Sequence, residues 1–95
     1  MKQKTNSTEK HAEICKRLND TYTAKNSDYG NSFGNMFQEL GIITAVTRIG
    51  DKFNRIKTLA VKSAADRAVL DESIKDTLLD MANYCIMTVM ELEKI

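Results

Sequence analysis

Residues 71–84 read D-E-S-I-K-D-T-L-L-D-M-A-N-Y, and the spacing within this stretch decides the fold. At 3.6 residues per turn, Glu72, Asp76, Asp80 and Asn83 fall on one line, a turn apart. Ile74, Leu78, Met81 and Cys85 fall on a second, apolar line. Three carboxylates in register repel one another, because like charges at i,i+4 destabilise a helix. Something cationic is therefore expected opposite them: a partner helix, a metal ion, or both.

Working outward, Asp71 is a good N-cap, Glu72 suits the positive end of the helix dipole, and the helix is expected to run to about Glu93. From Tyr84 to Met90 it reads Y-C-I-M-T-V-M, apolar nearly all round. A helix with so wide an apolar surface is buried on more than one side, which points to a second copy of the chain. Upstream, residues 62–70 form a connector. Residues 42–61 form another long helix, with Ile42, Val46, Ile49, Phe53, Ile56 and Leu59 or Ala60 as an inward stripe. Beside that stripe runs Arg48, Asp51/Lys52, Arg55. Gly50 within the helix costs about 1 kcal/mol against Ala, so its place is explained by close approach of another backbone or a ligand.

Before these lies a short helix over residues 32–40, with Phe33, Met36, Phe37 and Leu40 facing inward and Gly41 ending it. The segment K-N-S-D-Y-G-N-S-F-G, residues 25–34, reads as a connection in which Gly30 supplies a positive φ and Asp28 or Ser32 caps the next helix. It also reads as a loop whose backbone donors, together with Lys25, receive a phosphate. A first helix, capped by Ser7 or Thr8 and running to about Lys25, carries only a thin apolar line: Ile14, Cys15, Leu18 and Tyr22.

The chain has 95 residues, 42% of them hydrophobic and 28% charged. That composition fits one globular domain, residues 1–95, with the polar residues 1–7 disordered. A net charge of +1 argues against an electrostatically driven nucleic-acid binder. No run of apolar residues is long enough to span a membrane, and the start M-K-Q-K-T-N-S-T-E-K has no apolar core of a signal peptide. A cytoplasmic protein is expected. Cys15 and Cys85 lie in no metal-binding spacing and are expected as free thiols packed like small hydrophobes.

The two charged stripes are complementary: Arg48, Lys52 and Arg55 against Glu72, Asp76 and Asp80. If the long helices pack antiparallel, the stripes meet. One reading is a salt-bridge network that holds the helices together, although exposed pairs contribute only about 0–1 kcal/mol and buried pairs often lose to apolar replacements. The other is a ligand site. Asp51, Glu72, Asp76 and Asp80 could ligate Mg²⁺, which takes few carboxylates plus water and phosphate oxygens. Lys25, Arg48, Lys52 and Arg55 could neutralise phosphates, and Asn83 with Tyr29 or Tyr84 could read or stack on a base. With Asn26 and Asp28 of the 25–34 segment, this inventory fits a nucleotide. No nucleophile constellation competes: His11 is the sole histidine, and neither cysteine is expected beside it.

The ordered motifs K-N-S-D-Y-G-N-S-F, R-I-G-D-K-F-N-R-I and D-E-S-I-K-D-T-L-L-D-M-A-N-Y-C-I-M resemble the nucleotide modification associated domain 1 family, over residues 25–93. The resemblance implies a small protein of bacteriophages, prophages and their hosts, working in the host cytoplasm near nucleotide-modifying genes. More distantly the chain resembles the all-α nucleoside triphosphate pyrophosphohydrolases of the MazG and dimeric dUTPase type, whose metal site pairs E-x-x-E on one helix with E-x-x-D on the next. Asp76 looks like the last acid of that set, with Glu72 a turn before it. Ser73 occupies the spacing-three position, however, and Asn54 stands where Asp51 would need a second acid. The expectation is an all-α, small four-helix bundle, three helices substantial and one short, forming a homo-oligomer. It binds a phosphorylated nucleotide or nucleotide-derived signal and sequesters it against host defence. The alternative is a Mg²⁺-dependent nucleoside triphosphate pyrophosphohydrolase. A third is a helical interaction protein whose charged seam is purely structural.

Overall fold

A computed structural model describes residues 6–62 and 66–94. Four helices account for most of them: α1 Ser7–Tyr29, α2 Ser32–Leu40, α3 Ile43–Ala60 and α4 Arg67–Leu92. No strand occurs among the described residues, as the periodicity predicts. The chain divides into two compact units, Met1–Gly30, which holds α1, and Asn31–Ile95, which holds α2, α3 and α4.

Helix ends follow the local chemistry, at positions that differ from several expectations. The α1 cap is Asn6, not Ser7 or Thr8; its side chain accepts the Glu9 N–H at 2.8 Å. Of the seven residues expected to be disordered, 1–5 lie outside the described residues, whereas Asn6 caps α1 and Ser7 opens it. The helix runs four residues past Lys25, because its i→i−4 ladder continues until Gly30 turns the chain at φ 69° and donates its N–H to the Asn26 carbonyl. Asn31, rather than Asp28 or Ser32, caps α2 by accepting the Gly34 N–H at 3.2 Å. Gly41 ends α2 at φ 73°, as expected. The last helix begins at Arg67, a turn before Asp71, because Asp66 accepts the Val69 N–H and caps it first. Part of the expected 62–70 connector is therefore helix, and residues 63–65 lie outside the described set.

Within the second unit, α3 and α4 form an antiparallel hairpin. The α3 side of its seam is Ala45, Ile49, Lys52, Ile56 and Leu59, all buried or half-buried. This alternating four-three spacing is that of antiparallel helices packed along their length. The α4 side carries the buried Thr77, Thr88 and Glu91, with Ser73, Asp80, Met81 and Tyr84 half-buried between them. The two buried threonines return their hydroxyls to the carbonyls of Ser73 and Tyr84, one turn back, at 2.8 and 2.6 Å, so neither is left unpaired.

Across the end where α3 begins and α4 finishes lies α2. Phe33 and Phe37 insert against Ala45, with Ile49, Tyr84 and Met87 around them. Ala45 is 2% exposed, and its small side chain lets both rings approach. Removing either ring would cost about 3–5 kcal/mol by the general cost of emptying an aromatic core position. Thr44 Oγ1 donates to the Met36 carbonyl at 3.2 Å, and Gln38 Nε2 donates to Glu91 Oε1 at 3.0 Å, closing the same end.

Three packing expectations are corrected. On α3, Ile42, Val46 and Phe53 are exposed, because its apolar arc is wider than one neighbouring helix covers and α4 takes the Ala45–Leu59 line. On α2, Met36 and Leu40 turn outward, since a nine-residue helix presents one line inward and Phe33 and Phe37 occupy it. Both cysteines are exposed rather than packed.

Candidate functional site

The charged stripes meet in a ladder of three rungs. The Arg48 guanidinium lies over the Tyr84 ring, 6.0 Å from its centroid. Lys52 Nζ lies 3.5 Å from Asp80 Oδ2. Arg55 Nε donates to Thr77 Oγ1 at 3.3 Å. Each step towards the C-terminus on α3 is matched by a step towards the N-terminus on α4, so the rungs fix the register of the hairpin.

Only the middle rung is an ion pair, which corrects the expectation of charge meeting charge along the whole seam. Arg55 finds a hydroxyl, and that hydroxyl accepts from Arg55 while donating to Ser73. Arg48 finds an aromatic face, an arrangement worth about 0.5–1 kcal/mol at an exposed position. Tyr84 is in turn held by Phe33, centroid to centroid 5.6 Å, so α2 braces the ring on which Arg48 rests. The Lys52–Asp80 pair is about one-third exposed on each side, and a pair so placed adds little to stability, about 1 kcal/mol or less. Ordering of the cations, rather than stability, is what this ladder supplies.

Helical rotation separates the hairpin into two sides. At about 100° per residue, Arg48, Asp51 and Arg55 lie to one side of the α3 seam. Asp76, Asp80, Asn83 and Glu72 lie to the corresponding side of the α4 seam. Because the helices are antiparallel, equal rotations open to the same side, so these residues share one surface. Asp51, Glu72 and Asp76 are exposed there, whereas Asp80 and Asn83 are half-buried. Glu72 is engaged by its own neighbour Lys75, at 3.6 Å. Among the described residues no three His, Cys, Asp or Glu side chains gather into a group that could hold a metal ion. The acids of the site thus form no protein-only cage; a Mg²⁺ held there would rest on one or two carboxylates and take its other ligands from phosphate oxygens and water.

Lys25, Asn26, Asp28 and Tyr29 belong to the last turns of α1, in the first unit. The ten-residue loop expected over 25–34 is therefore reduced to Gly30 and Asn31 between two helices. The backbone donors of residues 26–29 serve the helix instead of forming an open phosphate cradle. Tyr29 is 75% exposed.

Sequence reasoning missed Thr77, Gln38 and Glu91, and it read Phe33 as core without its contact to Tyr84. Thr77 carries a recoverable signal: it falls opposite Arg55 once the helices are set antiparallel with Lys52 against Asp80. Gln38 and Glu91 are 53 residues apart and carry none. The Glu91 carboxyl is held below the ordinary carboxylate range, first by its hydrogen bond from Lys94, then by that from Gln38, with burial acting in the opposite sense and the Lys94 charge adding to the lowering. On α1, Cys15 Sγ stands 3.7 Å from His11 Nδ1, one helical turn away, which corrects the expectation that no thiol lies beside the histidine. No helix among the described residues is long and apolar enough to cross a membrane.

Comparison with known proteins places one family on this arrangement. The family model described as nucleotide modification associated domain 1 matches residues 25–92, which take in the last turn of α1 and the whole α2–α4 unit up to the end of α4. No curated protein and no solved structure matches the chain.

Proposed function

Because the chain belongs to the nucleotide modification associated domain 1 family, we propose that it binds a phosphorylated nucleotide or a nucleotide-derived signal on the charged side of the α3–α4 hairpin. The observation that carries the reading is the three-rung ladder, in which Arg48, Lys52 and Arg55 are each oriented by a different partner along one line. Arginines held by a ring face and a hydroxyl keep donors to spare for phosphate oxygens, which a closed carboxylate pair would consume. Tyr84, with its ring braced by Phe33, and the half-buried Asn83 supply an aromatic edge and an amide beside those cations. Lys25, Asn26, Asp28 and Tyr29, expected from the sequence as further ligand contacts, belong to the first unit, and this reading rests on the second unit alone. In this reading the protein is a phage-type homo-oligomer of the host cytoplasm that sequesters its ligand intact.

A second reading, Mg²⁺-dependent hydrolysis of a nucleoside triphosphate to the monophosphate and pyrophosphate, is favoured by one observation. Asp76 is exposed on the same side as Asp80, one turn away, so two carboxylates could share a cation with the phosphates. The bound ion would supply charge neutralisation and a more acidic water. The chain's own part would be to orient the phosphates through Arg48 and Arg55.

One experiment separates these readings. The purified protein is incubated with nucleoside triphosphates, cyclic nucleotides and ADP-ribose-type nucleotides, with and without Mg²⁺, and the mixture is resolved after denaturation. Ligand recovered intact, with binding lost in Arg55→Ala, supports sequestration. Product formed only with Mg²⁺ and abolished by Asp76→Asn supports hydrolysis. If nothing binds and Arg55→Ala only lowers stability, the ladder is a structural seam and the proposal is wrong.

A further inference from the structure

The three rungs of the ladder do not present equal charge to a ligand. Lys52 is matched by Asp80 at 3.5 Å and both are half-buried, so the middle rung is close to neutral. Arg48 and Arg55 are exposed, and among the described residues neither lies within ion-pair distance of a carboxylate. Asp51, exposed on the same surface, stands between them, three residues after Arg48 and four before Arg55. Asp76, level with Ile56 in this register, bounds the surface beyond Arg55. Along the line between the arginines the surface therefore reads positive, neutral to negative, and positive again.

The two positive poles are also held apart. Arg48 and Arg55 are seven residues apart on α3, and the groups that hold them, Tyr84 and Thr77, are seven apart on α4. At about 1.5 Å per residue each interval is about 10.5 Å, so both helices set the same separation. The Tyr84 ring is braced by Phe33, and Thr77 is buried, which keeps either pole from drifting towards the other. A nucleoside triphosphate does not suit this pattern. Its phosphorus atoms are joined through single oxygen atoms, so its charge is gathered in a length well short of the span. Centred on the line, it sets a phosphate against the Asp51 and Asp80 carboxylates; drawn to one pole, it leaves the other unused. Like charges brought together in this way exclude a ligand.

We infer that the ligand carries two phosphoryl groups held apart by at least one nucleoside: a dinucleotide, linear or cyclic, rather than a contiguous polyphosphate. This rests on the nucleotide-binding reading above and names the class of ligand within it. Each arginine takes one phosphate through its planar fork; Arg55 spends its Nε on Thr77 and keeps its terminal nitrogens for the ligand. The nucleoside between the phosphates lies over Asp51 and the Lys52–Asp80 pair. There its hydroxyl and exocyclic amino groups donate to carboxylate oxygens, which are acceptors only. The same carboxylates that receive the nucleoside turn a bridging phosphate away, so Asp51 selects the spacing of the charges as well as their sign.

The test is calorimetric titration of the full chain, in EDTA and again with Mg²⁺. The probes are panels covering all the bases: 5′-phosphorylated dinucleotides, cyclic dinucleotides and nucleoside triphosphates. The best dinucleotide is expected to bind roughly tenfold or more tightly than the best triphosphate, with or without Mg²⁺, and the two dinucleotide panels tell the linear form from the cyclic. Arg48→Ala and Arg55→Ala should each weaken that dinucleotide roughly tenfold or more, since each removes one phosphate contact. Asp51→Asn should narrow the preference by raising triphosphate affinity. A triphosphate that binds as tightly as any dinucleotide overturns this inference and leaves the nucleotide-binding reading standing. So does dinucleotide binding that is weakened by only one of the two arginine variants. Binding by no member of any panel overturns both. The comparison among ligands uses the wild-type chain, so a variant that fails to fold leaves it decisive.

Discussion

Arg55 Nε and Thr77 Oγ1 stand 3.3 Å apart across the α3–α4 seam, and the same hydroxyl donates to the Ser73 carbonyl at 2.8 Å. Thr77 is 3% exposed, so this hydroxyl is the point at which a buried polar atom aims a surface cation. Thr77→Val keeps the shape and removes the acceptor. It should lower stability by about 1 kcal/mol, the usual net worth of such a bond, and should weaken phosphate-ligand binding because Arg55 is no longer held. Thr77→Ser should retain both. Urea titration and calorimetric binding on the three proteins check this; equal affinity in Thr77→Val would show that Thr77 has no part in positioning Arg55.

Arg48 rests on Tyr84 and should behave differently. Arg48→Ala is expected to lower stability by only about 0.5–1 kcal/mol, the worth of an exposed cation–π contact. It should reduce nucleotide affinity roughly tenfold to hundredfold, as loss of a charged hydrogen bond does. Arg48→Lys should recover little of that, because a point charge does not replace a planar fork. A melting curve and a binding isotherm on each variant separate the two effects, and a stability loss larger than the affinity loss would place Arg48 in the scaffold.

The Glu91 carboxyl, hydrogen-bonded by Lys94 and Gln38, is held below its ordinary value of 4.5. A carboxyl whose folded-state pKa is lowered stabilises the fold above its unfolded value, and the contribution is lost as pH falls from about 4.5 through the lowered folded value. Glu91→Gln, which keeps an acceptor for Gln38, should therefore be less stable than wild type at neutral pH and should lose less stability between pH 6 and pH 3. Denaturant midpoints across that range give the comparison. Parallel acid profiles would mean that Glu91 contributes nothing to the pH dependence.

The start of α2 rests on Asn31, whose side chain accepts the Gly34 N–H at 3.2 Å. Asn31→Ala should cost about 1 kcal/mol, the usual value of an N-cap. Gly34→Ala should be at least as costly, because an added Cβ runs into the Asn31 side chain and displaces the cap. Asn31→Asp should be close to neutral, since it offers the same acceptor. Circular dichroism melts decide; a harmless Gly34→Ala would show that the cap can shift without loss.

The helices and several of their breaks were legible because they are properties of near neighbours in sequence. The 3.6-residue period of the stretch 71–84, the turns at Gly30 and Gly41, and the charged stripe of each helix are each set by residues within a few positions. The end of α1 was misplaced because Asn26 and Asp28 look like breakers, yet the ladder of backbone bonds runs on to the first residue that easily takes a positive φ. Within the site, the charged side chains were legible, as was a carboxylate partner on the facing helix, whereas the ring under Arg48 was not. Arg48, Lys52 and Arg55 are visible as a stripe facing acids, but nothing near them says that Arg48 meets a ring and Arg55 a hydroxyl in place of a carboxylate.

The residues 71–84 therefore specify a helix with an acidic line and an apolar line, and the spacing alone does this, since it needs only the geometry of one helix. Which lines are covered depends on neighbours that arrive from far along the chain. Packing turned the Ala45–Leu59 line of α3 inward and left Val46 and Phe53 outside, because one helix covers only part of a wide apolar arc. It also set Asp80 against Lys52 while leaving Asp76 in solvent, since the angle between a charged line and the seam decides which of its members meet the opposite helix. The separation of a charged side from an apolar side is a consequence of that register, and the register is a property of two helices together.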